Sequence, residues 1–429
     1  MGFATVQNRY VRADFSGGDI TSDGGLLLLK QLDRKIGFTD RIASELHDPR
    51  QQSKVGHSFR SLVKQQIFAL AAGYEDLNDH TCLRKDPLFQ TLCSRDKELA
   101  SASTLCRIQN IADRNDALLL NRLLVDHFIS SHATPPEEII LDFDATDDPV
   151  YGNQKQSFFH GYYGHYCFLP LYVFCGSFLL TAYLRPSNID ASKHSAAILR
   201  LLVNHIRKHW PSCRIVFRGD GGFARQLIMN WCERSNVEYI IGYSKNNVVL
   251  GVTKKLREDV QKAFESSREK QRRFCDFMYS AQTWKRKRRI ISKAEYNSLG
   301  DNNRFVVTNL SGDAQELYDT VYCARGDMEN RIKEQQLDLF ADRTSATEWW
   351  ANQFRMLLSG LAYTLIDTLR RTALKNTALE KAQCGTIRLK LLKIGAVIIK
   401  NTRKVFVHLS TAYPMRSLFE QVHATLMTT

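Results

Sequence analysis

The stretch from Tyr322 to Gln336 places one acid between two bases at helical spacing. If the stretch is a helix, Arg325, Glu329 and Lys333 follow one another at intervals of four residues and share one stripe of its surface. Glu329 could then bind a cation while its neighbours contact a phosphate. The alternative is a pair of exposed salt bridges to Glu329, each worth about 0.3 to 0.5 kcal/mol.

Two more acidic sites stand upstream, each at the end of an apolar, β-branched run. The first is IILDFDATDD, with Asp142 and Asp144, and the second is CRIVFRGDGGFAR, with Asp220. Carboxylates from two strand ends and a later helix are what a site for two divalent cations needs, and such a site acts on phosphodiesters. The three positions therefore predict metal-dependent chemistry on a nucleic-acid backbone.

Each aspartate also has a simpler interpretation. Alternation along the first strand puts Asp142 and Asp144 on one face, where two like charges are costly unless a cation neutralises them. The alternative there is a frayed strand end and a solvated acidic loop. Asp220 precedes two glycines at the carboxyl end of a strand, a position typical of ligand sites, but an aspartate before Gly-Gly is also a common helix cap.

The composition sets limits on the class of protein. The chain has 429 residues with 44% hydrophobic content, which predicts two or three structural units. Its net charge of +14 favours a polyanionic partner, nucleic acid before membrane. The ten cysteines include no CxxC pair, so neither a zinc site nor a disulfide framework is indicated and the thiols are expected to be reduced in a cytosolic protein. The longest apolar run, residues 167–184, is divided by Gly176 and Ser177 and predicts a buried hairpin, so no membrane segment is expected.

The pattern along the chain divides into several segments. Residues 22–132 are mainly helical in period, and the prolines of SSHATPPEE mark a boundary before the first acidic strand. Strands alternating with helices up to residue 243 predict a mixed sheet covered on both faces. Residues 244–312 are predicted to form short basic strands and turns, and the remainder to be helical, including the basic apolar segment 387–409.

Several dispersed motifs occur in an order that resembles the DDE transposases of bacterial insertion sequences, in the branch numbered thirteen-eighty. They include SDGGLLLLKQLDRKIG, LDFDATDDPVYGNQ, YLRPSN, FRGDGGFA, ARGDMENRIKE and IRLKLLKIGA. Several motifs in the right order are far more specific than one short match.

The resemblance implies a fold, a cofactor and a set of catalytic residues. The fold is an α/β, RNase H-like mixed sheet flanked by helices, with a β-rich insertion between the second and third acidic residues and helical N- and C-terminal regions. Asp144, Asp220 and Glu329 are the implied catalytic triad and the ligands of two Mg²⁺ or Mn²⁺ ions. Asp142 is the alternative first aspartate, although the Asp-x-Thr pattern of the family fits Asp144 better.

The resemblance also implies residues that bind DNA. Tyr322 and Arg325 match the signature around the family's glutamate, whereas Gln336 stands where that signature has lysine, so Lys333 is expected to supply the charge. Related transposases hold a flipped base with an aromatic residue of their insertion. Trp284 and the basic run beside it are the candidates here: Lys285, Arg286, Lys287, Arg288 and Arg289.

The implied activity is cleavage of double-stranded DNA at terminal inverted repeats, followed by strand transfer into target DNA. The protein is expected to act as a homodimer in the bacterial cytoplasm, associated with the nucleoid. The alternatives are an RNase H-like nuclease without strand transfer and a non-catalytic DNA-binding protein derived from a transposase. The predicted organisation is a DNA-binding N-terminal region, a catalytic core in two pieces, a basic insertion and a C-terminal region, at residues 1–133, 134–243 with 313–345, 244–312 and 346–429.

Overall fold

The computed structural model describes residues 1–428, which fall into two compact units. The first unit contains residues up to Leu120, the segment Glu334–Arg343, and the chain from Trp350 onwards. The second contains Asn121–Lys333 and Thr344–Trp349, and so holds all three acidic sites.

The N-terminal part of the first unit begins with short strands and continues as helices. In α1, buried Leu26, Leu29 and Leu32 recur every three residues and form one packed face, and Gly37 ends the helix in the left-handed conformation (φ 63°). The elements are β1 (Gly2–Val6), β2 (Arg9–Arg12), β3 (Ile20–Thr21), α1 (Leu26–Ile36), α2 (Phe38–Glu45), α3 (Phe59–Ala72), α4 (His80–Leu83), α5 (Pro87–Leu92), α6 (Ala102–Ile111) and α7 (Arg114–Ser130), of which α7 belongs to this unit only up to Leu120.

The second unit is built on a large mixed sheet. The strands of this unit are β4 (Glu138–Ala145), β5 (Asp148–Pro149), β6 (Phe158–His160), β7 (His165–Phe168), β8 (Leu171–Cys175), β9 (Phe178–Tyr183), β10 (Arg214–Gly219), β11 (Glu238–Tyr243), β12 (Gln271–Tyr279), β13 (Arg288–Asn297), β14 (Gly300–Asp301) and β15 (Arg304–Thr308). Of these, β5, β6 and β7 form a separate small sheet. Its helices are α8 (Ser195–His209), α9 (Gln226–Arg234), α10 (Asn247–Val252), α11 (Lys254–Ser267), α12 (Ala314–Glu316) and α13 (Gly326–Lys333).

The order of strands across this sheet is β12-β13-β15-β11-β10-β4-β8-β9, with β14 paired to β13. The strands β4, β10 and β11 run parallel to one another, and the flanking pairs are antiparallel. Both faces are covered by apolar clusters. One cluster includes Leu141, Phe143 and Phe217 with residues of α8 and α9, and the other includes Val216 and Ile240 with Leu317 and Tyr318. The predicted α/β fold class, with a large mixed sheet flanked by helices, is confirmed.

The apolar run at residues 167–184 forms the predicted hairpin. The strands β8 and β9 pair in antiparallel register, and most of their side chains are buried in the sheet. Within residues 1–428, no helix combines the length and apolar character needed to cross a bilayer. All ten cysteines lie in the described part of the chain, where they are free thiols.

The segment 244–312 contains helices as well as the predicted strands. The sequence of α11 has Leu256, Val260 and Phe264 at intervals of four, which is a helical period that its many charges obscure. The strand β15 pairs with β11, so the segment extends the main sheet directly.

The C-terminal part of the chain differs from the helical prediction. Its elements are α14 (Trp349–Thr372), α15 (Cys384–Ile387), β16 (Ala396–Lys400), β17 (Val405–Leu409) and α16 (Arg416–Thr428). The helical expectation for residues 387–409 is wrong beyond the turn Arg388–Leu392, because β16 and β17 form an antiparallel hairpin that also pairs with β3. The β-branched run Val397–Ile399, followed by a polar turn, favours strand over helix.

Candidate active site

Asp144 and Asp220 lie side by side at the carboxyl ends of neighbouring parallel strands. The register of β4 and β10 pairs Phe143 with Gly219, and the next residue on each segment is one of the two aspartates. Asp220 leaves the strand in an extended conformation and accepts a hydrogen bond from the N–H of Gly222 at 2.9 Å, so it also caps the short turn Gly221–Phe223. Two acids far apart in sequence therefore meet at one edge of the sheet.

Asp142 occupies the same face of β4 but has a different partner. Arg218 of β10 grips both of its carboxylate oxygens, with Nη2 donating to Oδ2 at 2.7 Å and Nε donating to Oδ1. Arg218 also donates to the carbonyl of Val321. Burial raises the pKa of Asp142, and the charge of Arg218 opposes that rise. Both oxygens of this carboxylate are thus used in a buried ion pair with the neighbouring strand.

Glu329 is brought to this edge by a helical stretch that covers the aspartate face of the sheet. The stretch runs from α12 through a π turn (Leu317–Tyr322) and a 3₁₀ turn (Cys323–Arg325) into α13. Leu317 and Tyr318 pack against the sheet and fix its position. The helical prediction for these residues is confirmed, with local changes of winding that the sequence did not indicate.

A single guanidinium joins the first and third acidic sites. Arg325 Nη2 lies 3.1 Å from Asp144 Oδ1, and Nη1 donates to Glu329 Oε1 at 2.7 Å. Asp144 Oδ1 also accepts the N–H of Ala145 at 3.0 Å. The side chains of Arg325 and Asp144 are 17% and 13% exposed, whereas that of Glu329 is 49% exposed. Arg325 is therefore the counter-ion of Asp144 and Glu329, which together with Asp220 are called the acidic edge.

The electrostatics place Asp220 within the same group. Burial raises the pKa of Asp144 to about 6, Arg325 opposes the rise, and the negative charges of Asp220 and Glu329 add to it. Burial alone would lower the pKa of Arg325, but Asp144, Asp220 and Glu329 outweigh that effect and raise it. Oxygen donors of this kind suit a hard divalent cation. Within residues 1–428, however, no group of three or more His, Cys, Asp or Glu side chains is arranged closely enough to hold a metal ion.

The Tyr322 hydroxyl lies close to the backbone of Gly242, where the lack of a side chain leaves room for it. A Cβ on Gly242 of β11 would stand 2.7 Å from Tyr322 Oη and 2.8 Å from the backbone nitrogen of Gly221. Burial raises the pKa of Tyr322, with Arg325 lowering it and Asp220 raising it. Tyr322 thus lies close to the turn that Asp220 begins. Lys333 is exposed at the end of α13, and Gln336 lies in the following turn, Glu334–Asp338.

The predicted base-stacking residue, Trp284, lies in the hydrophobic core. Its ring packs against Tyr243 and Tyr279 at centroid distances of 5.5 and 5.6 Å, and Arg288 stands over it at 5.1 Å. At 9% exposure it offers little surface to a nucleotide base. This placement is at odds with the stacking prediction, because the ring fills the space between β11 and the β12–β13 hairpin.

The basic run after Trp284 divides into paired and exposed residues. Arg288 is buried and donates to Glu233 at 2.6 Å, and Arg289 binds Asp276 and two backbone carbonyls. Arg286 lies 3.3 Å from Glu233 but remains largely exposed. Lys285 and Lys287 are exposed. The run therefore presents fewer cations to a phosphate backbone than the sequence suggested.

Arg218 was missed by the sequence interpretation. A signal was present, because an arginine inside the apolar strand CRIVFRGD needs a buried anion, and Asp142 carries the matching charge inside another apolar strand. What the sequence lacked was the register that sets these two residues opposite one another.

Comparison with known proteins gives a family match, no match among curated proteins and a similarity to a solved structure. A family model described as "Transposase DDE domain group 1" matches residues 3–429. Among curated proteins the comparison finds no match. Among solved structures, the chain is similar to a chain of the piggyBac transposase synaptic complex with hairpin DNA, with a TM-score of 0.42 and 11% identity over 87% of this chain and 80% of that one.

Proposed function

Since the chain belongs to the transposase DDE domain family, group 1, we propose that it is a transposase that cuts DNA at the ends of its own mobile element and joins those ends to target DNA. The observation that carries the proposal is that Arg325 contacts both Asp144 and Glu329, while Asp220 follows the neighbouring parallel strand directly. The acids thus come from two adjacent strand ends and a covering helix, at the end of the sheet where ligands collect in α/β proteins.

Asp144, Asp220 and Glu329 are the proposed ligands of two Mg²⁺ or Mn²⁺ ions, although within residues 1–428 their side chains do not stand close enough together to hold a metal ion as they are. The assignment rests on their carboxylate oxygens, which suit a hard cation, and on the charges of Asp220 and Glu329, which add to the rise that burial causes in the pKa of Asp144. Such ions activate the attacking oxygen and stabilise the leaving oxygen of a phosphodiester. Asp142 is the weaker candidate for the first ligand, since both of its oxygens bind Arg218.

The other residues of the site would position the DNA backbone. Arg325 and Lys333 would supply cations one turn on either side of Glu329, and the Tyr322 hydroxyl would offer a hydrogen-bond donor near the Asp220 turn. Lys285 and Lys287 are the exposed candidates for phosphate contacts in the insertion. We further propose double-stranded terminal repeats as substrate, a homodimer that holds both ends, and action in the cytoplasm on chromosomal DNA. The helical N-terminal region, residues 1–133, would read the repeats.

The test uses an aspartate variant that preserves the local turn. Asp220→Asn keeps an oxygen for the Gly222 N–H but loses the charge, so it should abolish Mg²⁺-dependent cleavage of the repeats flanking the gene while retaining their binding in a gel shift. Glu329→Gln should likewise abolish cleavage. Its matched control is Asp327→Asn, which changes an exposed acid on the same helix and should cut normally. Normal cutting by Asp220→Asn would remove Asp220 from the triad.

A second assay separates the proposal from its rivals. A pre-cut end with a free 3′-hydroxyl should be joined to target DNA in the presence of Mg²⁺. A nuclease without strand transfer would cut the intact end and give no joined product. A non-catalytic DNA-binding protein would do neither, although it would still shift the repeat DNA.

A further inference from the structure

The guanidinium of Arg325 contacts one carboxylate oxygen on each of two proposed cation ligands. It lies 3.1 Å from Asp144 Oδ1 and 2.7 Å from Glu329 Oε1, so it spans two of the three proposed ligands. Its Nε is buried without a hydrogen-bond partner among the described residues. The Nη1 and Nη2 groups of the side chain are thus paired with carboxylates, whereas its Nε–H donates no hydrogen bond to the described residues.

A divalent cation and Arg325 compete for the same two carboxylates. A cation bound jointly by Asp144 and Glu329 would stand beside the guanidinium, and the repulsion between the two positive charges at this largely buried position favours displacement of Arg325. A displaced arginine inside a largely buried site then needs another anion. The anion that a phosphodiester-cleaving site offers is a backbone phosphate, which arginine binds well.

We propose that Arg325 is a displaceable counter-ion that couples cation binding to DNA binding in this site. Without DNA it stays on Asp144 and Glu329 and weakens the binding of divalent cations. A DNA phosphate draws it away and leaves the carboxylates free for the cations. By linkage, a bound cation strengthens DNA binding by the same factor. This inference rests on the proposed function, since it takes the acidic edge to be the cation site.

The first experiment measures Mn²⁺ binding to the purified full chain without DNA. Free Mn²⁺ is followed by electron paramagnetic resonance, and Arg325→Ala should bind Mn²⁺ roughly 5- to 150-fold more tightly than the unmodified protein, the usual range of a coupling between two ligands. The melting temperature of the same variant should rise more with added Mn²⁺ than that of the unmodified protein. If Arg325→Ala does not fold in EDTA, Arg325→Gln, which removes the charge but keeps much of the length, carries the comparison.

The chain offers a matched control at the opposite end of the same strands. Arg214, at the start of β10, also bridges two acids, Glu138 and Glu238, and is 59% exposed. Arg214→Ala removes the same charge from the same sheet, so it should leave Mn²⁺ affinity unchanged. A gain equal to that of Arg325→Ala would reduce the effect to net charge and overturn the proposal.

The second experiment measures the coupling itself. Fluorescence anisotropy follows binding of a short DNA duplex with and without Ca²⁺, which serves as a non-cleaving probe. Ca²⁺ should strengthen DNA binding in the unmodified protein and in Arg214→Ala, and this gain should shrink in Arg325→Ala. An equal gain in all three proteins would overturn the proposal.

Mn²⁺ binding by Asp220→Asn distinguishes a failure of the proposed cation site from a failure of the counter-ion role of Arg325. If Asp220→Asn binds Mn²⁺ as the unmodified protein does, the cation site lies elsewhere and the proposed function loses its metal centre. If Asp220→Asn loses Mn²⁺ while Arg325→Ala matches the unmodified protein, the site stands and the counter-ion role of Arg325 is wrong.

Discussion

Asp142 and Arg218 form a buried ion pair with two hydrogen bonds between neighbouring parallel strands. Asp142 lies only two residues before Asp144 in the sequence. The two aspartates share one face of β4, yet one is paired within the sheet and the other faces Arg325 from the covering helix. Their different partners imply different roles, the first in stability and the second in the proposed chemistry.

Replacing Asp142 should mainly weaken the fold. Asp142→Asn leaves the buried guanidinium of Arg218 without its counter-charge, and breaking a buried pair in this way costs about 3 to 5 kcal/mol. Urea unfolding measures the loss, and Asp144→Asn is the comparison, with a smaller change in stability and a complete loss of cleavage. A stable Asp142→Asn protein that cannot cut DNA would make Asp142 the first metal ligand instead.

Cation binding should depend on pH through Asp144, whose pKa is raised by burial to about 6. Protons and cations compete for its oxygens, so Mn²⁺ affinity should fall as the pH decreases through about 6. The free energy of unfolding should change in the opposite direction. In EDTA the charged carboxylate of Asp144 lowers stability above about pH 6, and this loss disappears as the pH falls toward 3.8, the ordinary pKa of an aspartate. Mn²⁺ titrations and urea unfolding at about pH 7.5 and pH 5 check both trends, and Asp144→Asn should flatten the stability trend.

A methyl group at Gly242 should disturb the site without touching an acid. The added Cβ would clash with Tyr322 Oη and the Gly221 nitrogen, so Gly242→Ala should lower stability by about 1 to 3 kcal/mol and reduce cleavage while DNA binding persists. Gly251→Ala is the control, since its Cβ would meet no atom within 4 Å. Adding Tyr322→Phe removes one of the clashing atoms and should restore part of the stability. No recovery would mean that the clash with Gly221 dominates.

Trp284 should behave as a core residue. Trp284→Ala removes the ring packed between Tyr243 and Tyr279 and should cost about 3 to 5 kcal/mol in thermal or urea unfolding. Lys285→Ala, an exposed neighbour, should leave stability unchanged but lower DNA affinity, with a smaller salt dependence. A Trp284→Ala protein of normal stability that fails to hold DNA ends would restore the base-stacking role.

Much of the site was visible in the sequence because each part has a local signature. Asp144 and Asp220 end apolar strands, and Glu329 lies on a helical stripe with Arg325, patterns that depend only on periods of 2 and 3.6 residues. The hairpin of β8 and β9 was predictable for the same reason, from an apolar run divided by Gly176 and Ser177. Burial of Trp284 had no local signal, since a tryptophan beside five basic residues is compatible with a surface loop or a core.

The sequence by itself determined the strand ends, the acidic residues on them and the family of the chain, because these follow from composition, short-range periodicity and motif order. Only the tertiary structure decided that Asp142 pairs with Arg218, that Arg325 spans Asp144 and Glu329, and that Trp284 is packed inside. The reason is physical: Asp142 is 76 residues from Arg218 in sequence, and Asp144 and Arg325 lie on separate elements. Which of these charges meet is set by the pairing of β4 with β10 and by the helix that packs across them.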